Sequence, residues 1–378
     1  MTWLLLACAG EVGIIPSPPE LGQLTRVVPS AGLPEQVEVQ PAANNLDVVE
    51  HEGQTWLAFR TGPDHFASDE VHLYVLRSSD REHWELSLPI FMATDLREPR
   101  LLSLDGQLIL HWAVLGTDPL AFEPQGTMRA VFDGQSWSDP EWIFEDGFIP
   151  WRTRVMDGVP TMIGYVGGED IYDQDGLPAL EVKWLSSDDG LDWSGATVLT
   201  GGGSETDFAF TPEGDLVAVV RNEAGDEEGF GSLICRGEAE APTDWECRHD
   251  PKKYDSPLVF EDDGRIWLIG RRNVTDDGHF DLGRDDLDHD EAFLFYSASY
   301  WQEPKRCSLW EVHPLSLQVE WVLDLPSRGD TCFASILGED GQYEVWNYTS
   351  DPEGPDLSWL EGQKGETWIY RQDLTFPR

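Results

Sequence analysis

One pattern recurs along the chain: a few alternating apolar residues, an acidic turn with glycine, then a β-rich run. Residues 47–53 lead into 55–60, and 99–106 lead into 108–110. Further copies begin at 152, 205, 255 and 332. The turn glycines stand at 53, 106, 158, 214, 264 and 341, at intervals of 53, 52, 56, 50 and 77. A period near fifty, built from hairpins without helical periodicity, specifies a β-propeller with one four-stranded blade per repeat. Asp105-Gly106, Asp157-Gly158 and Asp340-Gly341 suit tight hairpins, because glycine takes positive φ without strain. The long last interval predicts an insertion in the fifth blade, around residues 273–306. The sixth repeat lacks one strand, and residues 23–28 could supply it, pairing the two ends of the chain and protecting the sheet edges. The expectation is an all-β, six-bladed propeller of four-stranded antiparallel blades, its ring closed by the N-terminal strand. It would be one domain over residues 21–378.

Composition narrows the function. The 17 Trp and 16 Phe supply core material, so disorder is not expected despite the charge. A formal charge of −46 excludes nucleic-acid binding through general electrostatics and docking on anionic lipid by charge alone. No apolar run is long enough to span a bilayer. Leu5-Leu6-Ala7-Cys8 resembles a bacterial lipoprotein signal. Residues 1–20 then read as signal and tether, with Cys8 as lipid anchor and sole membrane contact; the alternative is an apolar tail. The protein would be exported, as a cell-envelope lipoprotein or secreted, and monomeric. Four other cysteines fit an oxidising compartment and allow three connectivities. Cys235–Cys247, flanking a hairpin, with Cys307–Cys332 is the favoured set; four buried thiols are the alternative. No spacing matches a zinc site, and no cofactor or metal is called for.

Residues 186–193 fit the pattern S-x-D-x-G-x-x-W. This resembles the Asp box of sialidases and related propellers, a structural turn between the third and fourth strands of a blade. Residues 78–84 form a copy one residue short, and 133–137 a weaker one. A second stretch, Ser204-Glu205, Gly214-Asp215-Leu216 and Arg221-Asn222, is similar to bacterial sialidases around two active-site positions. The resemblance implies that Glu205 activates a tyrosine nucleophile and that Arg221 belongs to a triad clamping a sialate carboxylate, with Arg272 as another member. The chain departs from that family at three points. The Arg-Ile-Pro position reads Leu46-Asp47-Val48, with Arg100 as the nearest likeness. The nucleophile position reads Asp330-Thr331-Cys332, and Tyr348 is a poor substitute. The general acid would come from a loop holding Asp64, His65 and Asp69. The chain is also similar to exported bacterial propeller proteins, a likeness that leaves the activity open.

The beginnings of the innermost strands are polar in every repeat: Asp47, Glu98 with Arg100, Arg152 with Arg154, Glu205 with Asp207, Asp255, and Arg328 with Asp330. Read as a funnel, these give Glu205, Asp47, Asp64 and Asp255 as catalytic candidates. Arg60, His65, Arg100, Arg152, Arg221 and Arg272 are candidates for substrate binding. The alternative is ion pairs that hold blades together. Five-bladed glycosidase families use a carboxylate pair, and Glu205 with Asp47 or Asp255 would fill those roles. Acidic residues at 276–279 and 285–291 match no calcium loop and read as a solvated excursion. The 59–66 loop reads equally as ligand contact or packed turn. The expected function is a sialidase-like glycoside hydrolase, or a close relative, acting on glycans. The rival is a non-catalytic propeller binding glycan or protein.

Overall fold

In the computed structural model, which describes residues 18–172 and 177–378, the repeats become six antiparallel sheets. The innermost strands are Ala42–His51, Leu96–Leu104, Ile149–Met156, Thr206–Phe210, Leu258–Asp262 and Ser335–Glu339. Five sheets run outward in sequence order and the sixth ends on the N-terminal strands; the glycine turns lie between the first and second strands of each. Asp105, Asp157 and Asp340 take positive φ beside Gly106, Gly158 and Gly341, as a two-residue turn with this twist requires. The Cys8 anchor lies outside the described residues.

Second strands are apolar on both faces because each is sandwiched between neighbouring blades. In Arg265–Asn273, Trp267 and Ile269 pack with Ala334 and Val345 of blade six. Ile266 and Leu268 pack with Val217 and Val219 of blade four. Alternation therefore sends successive residues into different cores. Each such side chain contributes roughly 1.5–3 kcal/mol on burial.

The turns before the fourth strands share one chemistry. Ser187 Oγ accepts from Gly190 N at 2.9 Å, and Asp189 Oδ1 accepts from Leu191 N at 2.9 Å. In blade one, Ser78 Oγ accepts from Arg81 N and Asp80 Oδ1 from His83 N, both at 2.8 Å. Trp193 and Trp84 are buried beneath. The capping serine is thus Ser187 rather than Ser186. Counted from it, the two turns have the same spacing.

Ring closure takes the expected form. Thr25–Val28 and Glu20–Leu21 both pair with the last strand, Trp368–Thr375. Arg26 lies 4.8 Å from the Trp368 ring centre, and Ala43 N donates to Thr367 O at 3.1 Å. Cys235–Cys247 is a cross-strand pair within blade four, and Cys307–Cys332 ties blade five to the start of blade six. The two disulfides fit an oxidising compartment. Among the described residues no helix is long and apolar enough to cross a membrane.

The fifth-blade insertion differs from a solvated excursion. It forms the helix His289–Gln302, started by a capping box of Asp288 and Glu291. Phe293, Tyr296 and Tyr300 are buried with Phe230, Phe280 and Trp359. The sequence Asp288-x-x-Glu291 before an apolar run was its visible signal.

Deleting residues 21–40 exposes the edge of the last strand; loss of a cooperative thermal transition by circular dichroism is the expected outcome. Replacing Cys307 and Cys332 together by serine should cost about 2–5 kcal/mol, read by urea unfolding.

Candidate active site

The inner strands begin at one face of the ring, here called the upper mouth, and side chains from all six blades meet there. Blade four supplies Glu205, whose Oε1 accepts from Arg221 Nη1 at 2.8 Å and whose Oε2 accepts from Ser256 N at 2.7 Å. Blade five supplies Asp255, which receives Arg271 Nη1 at 2.9 Å, Tyr300 OH at 3.2 Å and Lys253 Nζ at 3.2 Å. Arg221 Nε stands 3.3 Å from its other oxygen. Glu223 completes the network, pairing with Arg221 and, at 2.5 Å, with Lys253. Burial alone would raise the Asp255 carboxyl, but Lys253, Arg221 and Arg271 together hold it below the usual range. Two guanidiniums and Lys253, whose ammonium burial lowers to about 7 against the pull of Asp255, thus face three carboxylates.

Across the mouth stands Glu98. It lies where the inner strand of blade two bulges between Arg97 and Arg100, with φ at 49°. A non-glycine residue in that region is strained, and such strain concentrates at functional sites. Asn45, itself at φ 38° in the matching bulge of blade one, donates to both Glu98 oxygens at 3.2 Å. Burial raises the Glu98 carboxyl to about 7, against the pull of Arg100 and with the help of the Glu205 charge. Glu98 therefore gains and loses its proton around neutral pH, far above an ordinary carboxyl. Tyr165, raised by burial and by the charges of Glu205 and Glu98, keeps its phenolic proton between them.

His65 reaches the mouth from blade one, its Nδ1 2.6 Å from Asp330 Oδ2. Tyr348 OH donates to Asp330 Oδ1 at 3.0 Å. Burial lowers His65 more than Asp330 raises it, so the imidazole is neutral.

The structure sorts the sequence candidates into separate places. Glu205, Asp255, Arg221 and His65 meet at the upper mouth. Asp47, Arg100 and Arg152 lie deeper and line a cavity that opens away from it. Arg60 is sealed: it donates to Asp95 Oδ1 at 3.0 Å, Asn44 Oδ1 at 3.2 Å, and the carbonyls of Asp64 and Phe66. Asp64 accepts from Phe66 N at 2.8 Å as a turn former. The 59–66 loop is therefore a packed turn built around Arg60 that delivers only His65. Arg272 points away from the mouth to Asp324, at 2.6 Å, and Trp321. Its neighbour Arg271 is the one that meets Asp255. Sequence reasoning passed over Arg271, Glu223, Lys253, Tyr165 and Tyr300, and took Glu98 only as part of the ring. A signal for Arg271 existed: Asn44–Arg60, Glu205–Arg221 and Asp255–Arg271 are all separated by 16 residues. Each pair joins the start of an inner strand to the end of its hairpin partner.

The fold is a six-bladed β-propeller of antiparallel blades. No family model matches the chain, and no curated protein matches it in sequence. Among solved structures it is similar to Trypanosoma rangeli sialidase, with 13% identity and a TM-score of 0.58. That match covers 89% of this chain and 55% of the sialidase. A Hadza microbial sialidase matches with 15% identity and a TM-score of 0.52, covering 89% of this chain and 66% of that one. Penicillium chrysogenum alpha-L-arabinanase, complexed with arabinobiose, matches with 12% identity and a TM-score of 0.56. Here 93% of this chain and 98% of the arabinanase are covered. The chain thus spans just over half of the trypanosomal enzyme. At these identities the likeness establishes the fold.

A Glu98 carboxyl raised in the folded state stabilises the fold in its protonated form. That contribution is complete below about pH 4.5 and is lost as pH rises through about 7. Glu98→Gln removes the ionisation penalty. At pH 8.5 it should be more stable than wild type by on the order of 2–3 kcal/mol, and near parity at pH 4.5, measured by urea unfolding.

Proposed function

We propose that the upper mouth is the active site of a glycoside hydrolase acting on glycans, with Glu98 as proton donor to the leaving oxygen and Glu205 as the opposing carboxylate. The observation that carries this reading is the contrast between the two environments. Glu98 sits half-buried in a strained bulge whose surroundings raise its carboxyl to about 7. Glu205 is held by a guanidinium and a backbone amide. A carboxyl raised toward neutral pH, facing a second carboxyl held by a cation and an amide, is what acid-assisted glycosidic cleavage needs. Glu98 thus takes the acid role that the sequence suggested for Asp64 or Asp47.

The substrate in this reading is a neutral sugar rather than a sialylated one. A carboxylate clamp needs arginines with unused donors. Here Asp255 already stands between Arg221 and Arg271, and Glu205 and Glu223 take further donors of Arg221. A sugar carboxylate arriving there would meet Asp255. No tyrosine opens the innermost strand of blade six, and Tyr348 is buried on Asp330. The two disulfides and the Leu5-Leu6-Ala7-Cys8 stretch support an exported protein, anchored through a lipid on Cys8 or secreted.

Sugar release from a panel of neutral and sialylated glycosides tests the proposal. Release from neutral members is expected, with Glu98→Gln and Glu205→Gln each lowering kcat/KM by about 10²–10⁴-fold. The wild-type profile should fall on the alkaline side near pH 7, as Glu98 loses its proton. Glycan binding without release by folded wild type would instead identify a binding propeller.

A further inference from the structure

A cavity of about 390 Å³ lies at the other end of the axis, between the later halves of the inner strands. Arg100, Arg152 and Arg154 line it, with Asp47 and Ser335. Its walls are aliphatic and aromatic: Val49, Phe260 and Ile336 are half-buried, and Val155 is exposed at the rim.

The polar groups around it are unequally satisfied. Asp47 accepts from Ser335 Oγ and from Leu101 N, both at 2.8 Å. Asp207 accepts from Val259 N at 2.7 Å and pairs with Arg154 and Arg152. Arg152 also donates to the carbonyls of Pro257 and Ala334. Arg100 differs from all of these. It is 1% exposed, its guanidinium rests 5.0 Å from the Trp151 ring centre and 4.5 Å from that of Phe333, and none of its three nitrogens has a hydrogen-bond partner among the described residues. A buried guanidinium with idle in-plane donors is costly unless an anion takes them. Three arginines face only two carboxylates here, Asp47 and Asp207, so one positive charge is left over. Both Arg100 and Arg152 are pushed down, first by burial, and Arg152 to about 9 with Arg100 as the next cause. The nearest further acid, Glu98, is 3.8 Å from Arg100 Nη2 on the upper side, beyond hydrogen-bond distance, and its carboxyl is raised to about 7.

We propose that this lower well binds a small monocarboxylate with an apolar body, its carboxylate on Arg100 and its tail along the aliphatic wall. The carboxylate supplies the one missing negative charge and the planar pair of acceptors that a guanidinium fits. The apolar wall selects against a bare anion. The volume is in the range of small-molecule sites. The well is separate from the upper mouth and does not depend on hydrolysis there.

The test is calorimetric titration of wild type with acetate, butyrate and hexanoate at fixed ionic strength. Saturable binding is expected, tightening about four-fold per added methylene, as burial of a CH₂ group implies. Arg100→Met should weaken hexanoate binding at least ten-fold. Wild-type crystals soaked in 6-bromohexanoate give a readout that needs no variant: the anomalous bromine peak should lie within the well beside Val49, Phe260 or Ile336. Absence of saturable binding by any carboxylate overturns the proposal, as does equal affinity for acetate and hexanoate. Bromine found elsewhere also overturns it, as does full binding by folded Arg100→Met.

Discussion

Thr25–Val28 lies against the strand Trp368–Thr375, and this pairing holds six sheets in a ring whose inner strands converge on one axis. Without it the last blade has an open edge, and the first inner strand loses one of the ties that hold it beside the sixth. Ala43 and Thr367 bond directly across that seam, and Asp47 accepts from Ser335 a little deeper. Convergence has a consequence for charge. Polar residues at the beginnings of the inner strands, ordinary surface on an isolated sheet, become buried neighbours.

The protein meets that burial differently at the two ends of the axis. At the upper mouth Arg221, Arg271 and Lys253 are matched by Glu205, Glu223 and Asp255. Glu98, which has no cation of its own at bonding distance, has its carboxyl raised to about 7 instead. In the proposed mechanism Glu98, facing that cluster, is the proton donor. At the lower well the arginines outnumber the carboxylates, and Arg100 is left with ring faces and no acceptor. Breaking one partner of a buried ion pair is costly, so both ends are sensitive to single substitutions. Only the imbalance at the lower end calls for a ligand to correct it.

Much of the architecture was legible because it depends on local rules. Asp-Gly turns recur where each hairpin must reverse, and the missing strand of the sixth repeat pointed to residues 23–28. Cys235 and Cys247 face each other because a hairpin fixes their register. The capping turns were legible too, but Ser187 and Ser186 compete for one role, and only the hydrogen bonds to Gly190 and Leu191 separate them. The helix after Asp288 was hidden by its acidic surroundings, although its capping box was in plain view.

The candidate site was less legible, for a geometric reason. Side chains on a strand alternate, so a shift of one residue moves a group to another surface. Arg271 enters the mouth while Arg272 leaves it. Two residues of depth put Glu98 at the upper mouth and Arg100 on the wall of the lower well, with their charged ends still 3.8 Å apart. Arg60 looked like a ligand contact and is consumed by the loop that it supports. The sequence by itself determined the number of blades, the closure of the ring and the residue types that gather on the axis, because these follow from periodicity and turn chemistry. Only the tertiary structure decided which carboxyl is raised toward neutral pH and which arginine lacks a partner, because both depend on burial and on neighbours brought in from other blades.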